Sequence, residues 1–242
     1  MSAPQLSTKE YALKLYEMLK PSGWHDVLKG FLLSEDFVKI IETLEKCVEE
    51  GHRFTPPLKH VFNAFLECPL DKTRVILLAE GPSPVLNASD GLAWSCGNTK
   101  KPDFILQRVF EEINRSVYGS KKHVMTFDSD LKRWSKQGVL LLPVALTAQI
   151  DKKSPHFSIW DPLITYLVDM LNTSYKDYVW IFIGYANKYV ELVDNVLNHT
   201  AILSAVSPYV VNSKGDWNCD DIFNDCNKNL LKIDKSNKII NW

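Results

Sequence analysis

Arg74-Val75-Ile76-Leu77-Leu78-Ala79 runs directly into Glu80-Gly81-Pro82-Ser83-Pro84-Val85-Leu86-Asn87. Five consecutive apolar residues followed by glycine and proline predict a short strand, buried on both faces and ended by a rigid loop. Three further runs repeat the pattern: Gly138 to Leu142, Tyr178 to Ile183 and Ala201 to Ala205. Helical periodicity separates them at about Phe104–Tyr118, Asp128–Lys136, Asp161–Leu171 and Tyr185–Asn198. Strands alternating with helices predict an α/β fold with a parallel sheet. Helices at Thr8–Leu19, Ser34–Glu50 and Leu58–Phe65 precede the first strand, and one near Asp220–Lys232 follows the last. Ser34 and the pair Asp161-Pro162 read as helix starts, by side-chain capping and by proline at the first helical position. The post-strand segments then gather along one rim of the sheet, where ligands of open parallel sheets bind.

Composition narrows the classes. The 242 residues are 45 % apolar and 24 % charged with a net charge of −1, which suits one globular domain and excludes wholesale disorder. The longest apolar run, Val139 to Leu146, is too short to span a bilayer of roughly 30 Å. Met1 to Glu10 is polar and lacks the apolar stretch of a signal peptide, so no membrane association is expected. Five cysteines with no CxxC pair argue against a disulfide framework or a thiolate zinc site and favour a reducing, intracellular compartment, cytoplasm or nucleus. No two histidines have metal-ligand spacing, and no metal or cofactor is expected. The near-zero total charge is silent about nucleic acid, because a local basic groove can hide within it.

Two rim loops carry the chemistry. Pro82 and Pro84 around Ser83 fix a backbone in which Gly81 permits positive φ or the close approach of a ligand; the loop is either a structural turn or a grip on a flat group or phosphate. After the last strand, Ser207-Pro208-Tyr209-Val210-Val211-Asn212-Ser213-Lys214 places three large apolar groups on a loop. They either fold beneath it or stand out as a wedge for a base stack. Trp94, in Asp90-Gly-Leu-Ala-Trp-Ser95, is either core or a base-stacking ring, Pro143 ends the second strand, and His156 is the one histidine near the rim.

From Trp24 to Trp242 the chain resembles the main family of uracil-DNA glycosylases. The resemblance rests on ordered blocks: Gly23-Trp-His-Asp-Val-Leu28, Pro56-Pro-Leu-Lys-His-Val-Phe-Asn-Ala-Phe65, Arg74 to Leu78, Trp134-Ser-Lys-Gln-Gly-Val-Leu-Leu-Leu142 and Ile240-Asn-Trp242. It implies a three-layer α/β/α sandwich with a central four-stranded parallel sheet over residues 23–242, with 1–22 as an N-terminal helical extension. The amphipathic run Tyr11 to Leu19 in that extension reads as a helix packed on its own domain or as a docking segment for a protein partner. The resemblance also implies a DNA partner, double-stranded and gripped with one nucleotide flipped out. Pro56, Pro57, Pro82, Pro84, Pro208, Tyr209, Val211 and Lys214 fall at its DNA-facing positions.

The family's reactive positions are replaced. Its water-activating aspartate falls on Gly81, its pocket tyrosine on Ser83, its uracil-reading asparagine on Pro143 and its second-motif histidine on Ser207, while Trp94 replaces its stacking phenylalanine. Losing a positioned acid or base typically costs about 10²–10⁴-fold, and a missing oxyanion donor about 10²–10³-fold. Ordinary uracil excision is therefore not expected. One expectation is a pocket of Gly81, Ser83, Trp94 and Pro143 rebuilt for a bulky 5-substituted pyrimidine, with Glu80 or Asp90, helped by Ser207, orienting the water. The other is a silent glycosylase-fold module that binds DNA or a protein partner, as a replication or transcription accessory or as an inhibitor decoy.

Overall fold

The computed structural model describes residues 7–83, 85–119, 128–150, 154–174, 177–193, 201–233 and 237–242. Its strands are β1 (Phe54–Thr55), β2 (Val75–Ala79), β3 (Val139–Pro143), β4 (Ala148–Gln149), β5 (Ser154–Pro155), β6 (Val179–Ile183) and β7 (Ala201–Ala205). Its α-helices are α1 (Thr8–Leu19), α2 (Trp24–Leu32), α3 (Glu35–Glu49), α4 (Asn63–Glu67), α5 (Phe104–Ser116), α6 (Lys132–Ser135), α7 (Phe157–Ser174) and α8 (Ile222–Ile233).

Four strands form a parallel sheet in the order β3-β2-β6-β7. Alternation of side chains across each strand divides the core in two. Ile76, Leu78, Leu140, Leu142, Trp180 and Phe182 point to one face and join Leu15, Phe31, Phe37 and Leu167 from α1, α2, α3 and α7. Val75, Leu77, Val139, Leu141, Val179 and Ile181 point to the other and join Leu106, Val109 and Phe223 from α5 and α8. The result is the expected α/β/α sandwich. β2, β3 and β6 are buried throughout, as their unbroken apolar runs require; β7, which with β3 forms the two edges of the sheet, is only partly covered, contrary to the expectation of two covered faces for every strand.

α1 is part of this packing. Ser7 accepts from the Glu10 amide while the Glu10 carboxylate reaches back to the Ser7 amide, a capping box that starts the helix. Ala12, Leu15 and Leu19 then enter the same core as Trp24 and Phe37. α3 starts as its sequence indicates, with Ser34 Oγ accepting from the Phe37 amide.

Several elements differ from their sequence reading. α7 begins four residues before Asp161, with Pro162 inside it. His156 carbonyl accepts from the Ile159 and Trp160 amides, and Trp160 Nε1 donates to Thr147 Oγ1 at 2.7 Å, so tertiary anchoring starts the helix before the proline. Residues Gly184–Leu192 form a 3₁₀ rather than an α-helix, tied down by Asn187 Nδ2 to the Ala205 carbonyl and Tyr189 hydroxyl to Asp161; 194–198 lie outside the described residues. The helix expected at Leu58–Phe65 is a 3₁₀ turn followed by α4, and that expected at Asp128–Lys136 shortens to α6. An antiparallel ribbon, β1-β4-β5, and the helix α2 were not anticipated.

Candidate active site at the carboxyl rim of the sheet

β2 delivers Glu80 to the rim, and β3 locks the departing loop: the amides of Val144 and Ala145 donate to the carbonyls of Ala79 and Glu80 at 2.7 and 3.0 Å. Beside this loop lies a cavity of about 240 Å³. Glu80, Gly81, Pro82 and Ser83 form one wall, Trp94, Asp103 and Ile105 a second, Ala148, Pro155 and Phe157 a third, and Tyr209 stands at it from the last rim loop. The volume lies somewhat below the about 300–1,000 Å³ of drug-sized sites.

Glu80 and Ser207 meet. Ser207 Oγ donates to Glu80 Oε2 at 2.7 Å, and the Tyr185 amide donates to Oε1 at 3.4 Å. Gly184 makes this possible: with φ +61°, a Cβ there would sit 2.6 Å from Glu80 Oε1 and 3.0 Å from Ser207 Cβ. Phe157 stacks on Tyr185 at 3.9 Å, fixing the cavity wall to the same turn.

The other candidates separate into lining and supporting groups. Ser83 lines the cavity and is buried, its Oγ accepting from the Val85 amide. Gly81 lines it too, but the feature that demands glycine is protein packing: a Cβ would meet Pro155 Cβ at 3.0 Å and Cγ at 3.1 Å. The positive φ considered for Gly81 is not among the left-handed residues, whereas Trp94 is, at φ +65°. Trp94 borders the cavity but is almost wholly buried, its ring edge-on to Trp217 at 6.1 Å.

Two expected pocket groups sit elsewhere. Asp90 does not line the cavity: it is buried, Oδ2 accepts from Ser95 Oγ at 2.7 Å, Oδ1 accepts from the Leu92 amide, and its carbonyl accepts from Asn63. Burial holds its pKa above the ordinary aspartate value, opposed by the Ser95 hydroxyl and the Leu92 amide. Its work is to brace the 90–97 turn. Pro143 ends β3 as expected, buried and in register with Ala79, but does not line the cavity; Ala148 is a residue of the following segment that does.

Asp103 is the site residue that sequence reading missed. Its Oδ1 accepts from the Leu106 amide, so it caps α5 while bordering the cavity. A helix-start aspartate was the available signal. Tyr209 is also held above its ordinary pKa, by partial burial and by the nearby Asp103 and Glu80 carboxylates. No lysine, arginine or histidine borders the cavity among the described residues. Its electrostatics therefore favour a developing positive charge and offer a leaving anion only neutral donors.

The wedge loop is held from behind. Arg108 Nη1 donates to the Pro208 carbonyl at 2.6 Å, its guanidinium lying 3.8 Å above the Phe104 ring, and Trp217 Nε1 donates to the Val206 carbonyl at 2.9 Å. Of the three apolar groups expected either to fold beneath the loop or to stand out from it, Tyr209 and Val210 project, 60 % and 57 % exposed, and Val211 is partly buried. Pro57 and Lys214 are exposed; Pro56, Pro82 and Pro208 are buried, Pro82 in the cavity wall. Pro84 lies outside the described residues. His156 pairs with Thr147 at 2.9 Å behind the cavity, and burial lowers its pKa.

No protein-family model matches the chain. It is 35 % identical over 191 residues to a uracil-DNA glycosylase of Streptococcus thermophilus, covering 77 % of this chain and 83 % of that protein. The chain belongs to the uracil-DNA glycosylase family. A uracil-DNA glycosylase of Campylobacter hominis is 29 % identical over 233 residues, 96 % of this chain and 95 % of that one. The crystal structure of mimivirus uracil-DNA glycosylase has the same fold, with a TM-score of 0.79 at 21 % identity over 94 % of this chain and 88 % of that chain. A variant of the mimivirus protein, in complex with UGI, superposes with a TM-score of 0.78 at 22 % identity over 90 % of this chain and 87 % of that one.

Proposed function

We propose that this family member binds double-stranded DNA, extrudes one nucleotide into the rim cavity and does not excise uracil, but releases a bulky 5-substituted pyrimidine. The observation that carries the reading is the Glu80–Ser207 pair: Glu80 lines the cavity, its carboxylate accepts from the Ser207 hydroxyl at 2.7 Å, and the wall beyond it includes Gly81 and Ser83. Glu80 takes a proton from a water whose oxygen attacks the sugar C1′; the bond from C1′ to the base breaks, its electron pair leaves with the base, and the base is then protonated. Glu80 and Asp103 favour the cationic character of the sugar as that bond lengthens. Ser83 leaves room beside pyrimidine C5. Tyr209 and Val210 fill the gap in the duplex, offsetting an extrusion cost of a few kcal/mol.

Both Glu80 oxygens already accept hydrogen bonds within the protein, and that favours a second reading, a module that extrudes a base and performs no chemistry. Incubation with duplexes carrying uracil, thymine or 5-hydroxymethylated and glucosylated pyrimidines, scored for abasic sites, separates the two. Release from the bulky substrates alone supports hydrolysis; retained DNA affinity with no abasic sites on any duplex supports the silent module.

A further inference from the structure

A second concave surface lies far from the Glu80 wall in sequence and composition. α3 buries Phe37, Ile40 and Leu44 inward, and turns Ile41, Glu45, Val48 and Glu49 to an apolar cleft of about 530 Å³. Positions 41, 44/45 and 48/49 follow the three-to-four spacing that puts residues on one helix face. Trp160 closes the floor; Val48 and Leu58, each more than half exposed, form opposing lips. Apolar surface is left open at both lips.

The charge on this cleft selects its occupant. Glu45 and Glu49 stand one helical turn apart on its edge, and neither has a hydrogen-bond or ion-pair partner among the described residues. Among the described residues, no lysine, arginine or histidine lines the cleft. Such a surface repels the phosphates of DNA and of anionic membranes, and attracts cations set one turn apart beside an apolar stripe. We propose that this groove docks an amphipathic helix of a partner protein, with its apolar stripe between Val48 and Leu58 and two lysines or arginines one turn apart against Glu45 and Glu49. This is helix-in-groove recognition, and it is independent of the chemistry at the rim.

The test uses the full chain and two labelled synthetic helices with the same leucine stripe, one flanked by lysines one turn apart and the other by glutamates. Fluorescence anisotropy should show the lysine peptide binding at least about tenfold more tightly, with affinity falling as salt rises. Val48→Asp should abolish binding, and the double change Glu45→Lys with Glu49→Lys should reverse the preference for peptide charge. All three positions are at the surface, and an unchanged thermal midpoint verifies folding. Equal binding of both peptides, no binding of either, or binding untouched by the charge reversal overturns the proposal. So does competition by duplex DNA or anionic vesicles at this groove, or self-association of the chain that Val48→Asp removes.

Discussion

In the proposed reaction Glu80 carries the chemistry and Gly81 stands beside it on the cavity wall. If Glu80 orients the attacking water, Glu80→Gln should lower release of a 5-substituted pyrimidine by about 10²–10⁴-fold while leaving DNA affinity unchanged, measured under single-turnover conditions. Ser207→Ala should cost less, because the Tyr185 amide still holds the other carboxylate oxygen. Gly81→Asp places a carboxylate where the family has one, yet its Cβ would press on Pro155 at 3.0 Å, so this change alone should not confer uracil excision. Gly91 is the clearest structural glycine: φ is +93° and a Cβ would overlap the His60 carbonyl oxygen. Gly91→Ala should destabilise the fold by more than about 2 kcal/mol, read as a lowered midpoint in denaturant.

At the scale of elements, the wedge loop depends on α5. Arg108→Ala removes a charge-assisted bond to the Pro208 carbonyl, and should reduce base extrusion by about tenfold with a smaller effect on duplex binding, followed by 2-aminopurine fluorescence beside the target. The elements legible in the sequence are those specified by their own residues: the apolar runs of β2, β3 and β6, and the capped starts of α1 and α3. Elements specified by contacts distant in sequence were not legible. The ribbon strands are two residues long and exist only by pairing, α7 starts where Trp160 meets Thr147, and the 184–192 turn follows from the fit of Gly184 against Glu80. The same division runs through the site. The family resemblance singled out Glu80, Ser83 and Ser207, and two of these, Glu80 and Ser83, line the cavity, whereas the withdrawal of Asp90 and Pro143 into supporting positions and the presence of Asp103 at the cavity depend on packing.

The molecule as a whole should show a pH dependence with two opposed parts. Burial lowers the pKa of His156 and of His60, so below about pH 6.5 the unfolded chain binds more protons than the folded one and stability falls as pH drops. His156→Asn should flatten that limb in urea titrations between about pH 5 and 7. Asp90, held above its ordinary value, acts in the other direction: its contribution is complete at pH below the ordinary aspartate value and is lost as pH rises through the raised one. None of this bears on the central claim, that a family scaffold retains its extrusion pocket without the groups that excise uracil. The direct measurement is free uracil released from a uracil-containing duplex by the purified chain, with duplex binding recorded on the same sample. The expected result is binding with no uracil above the protein-free control; release at an ordinary enzymatic rate would contradict the claim.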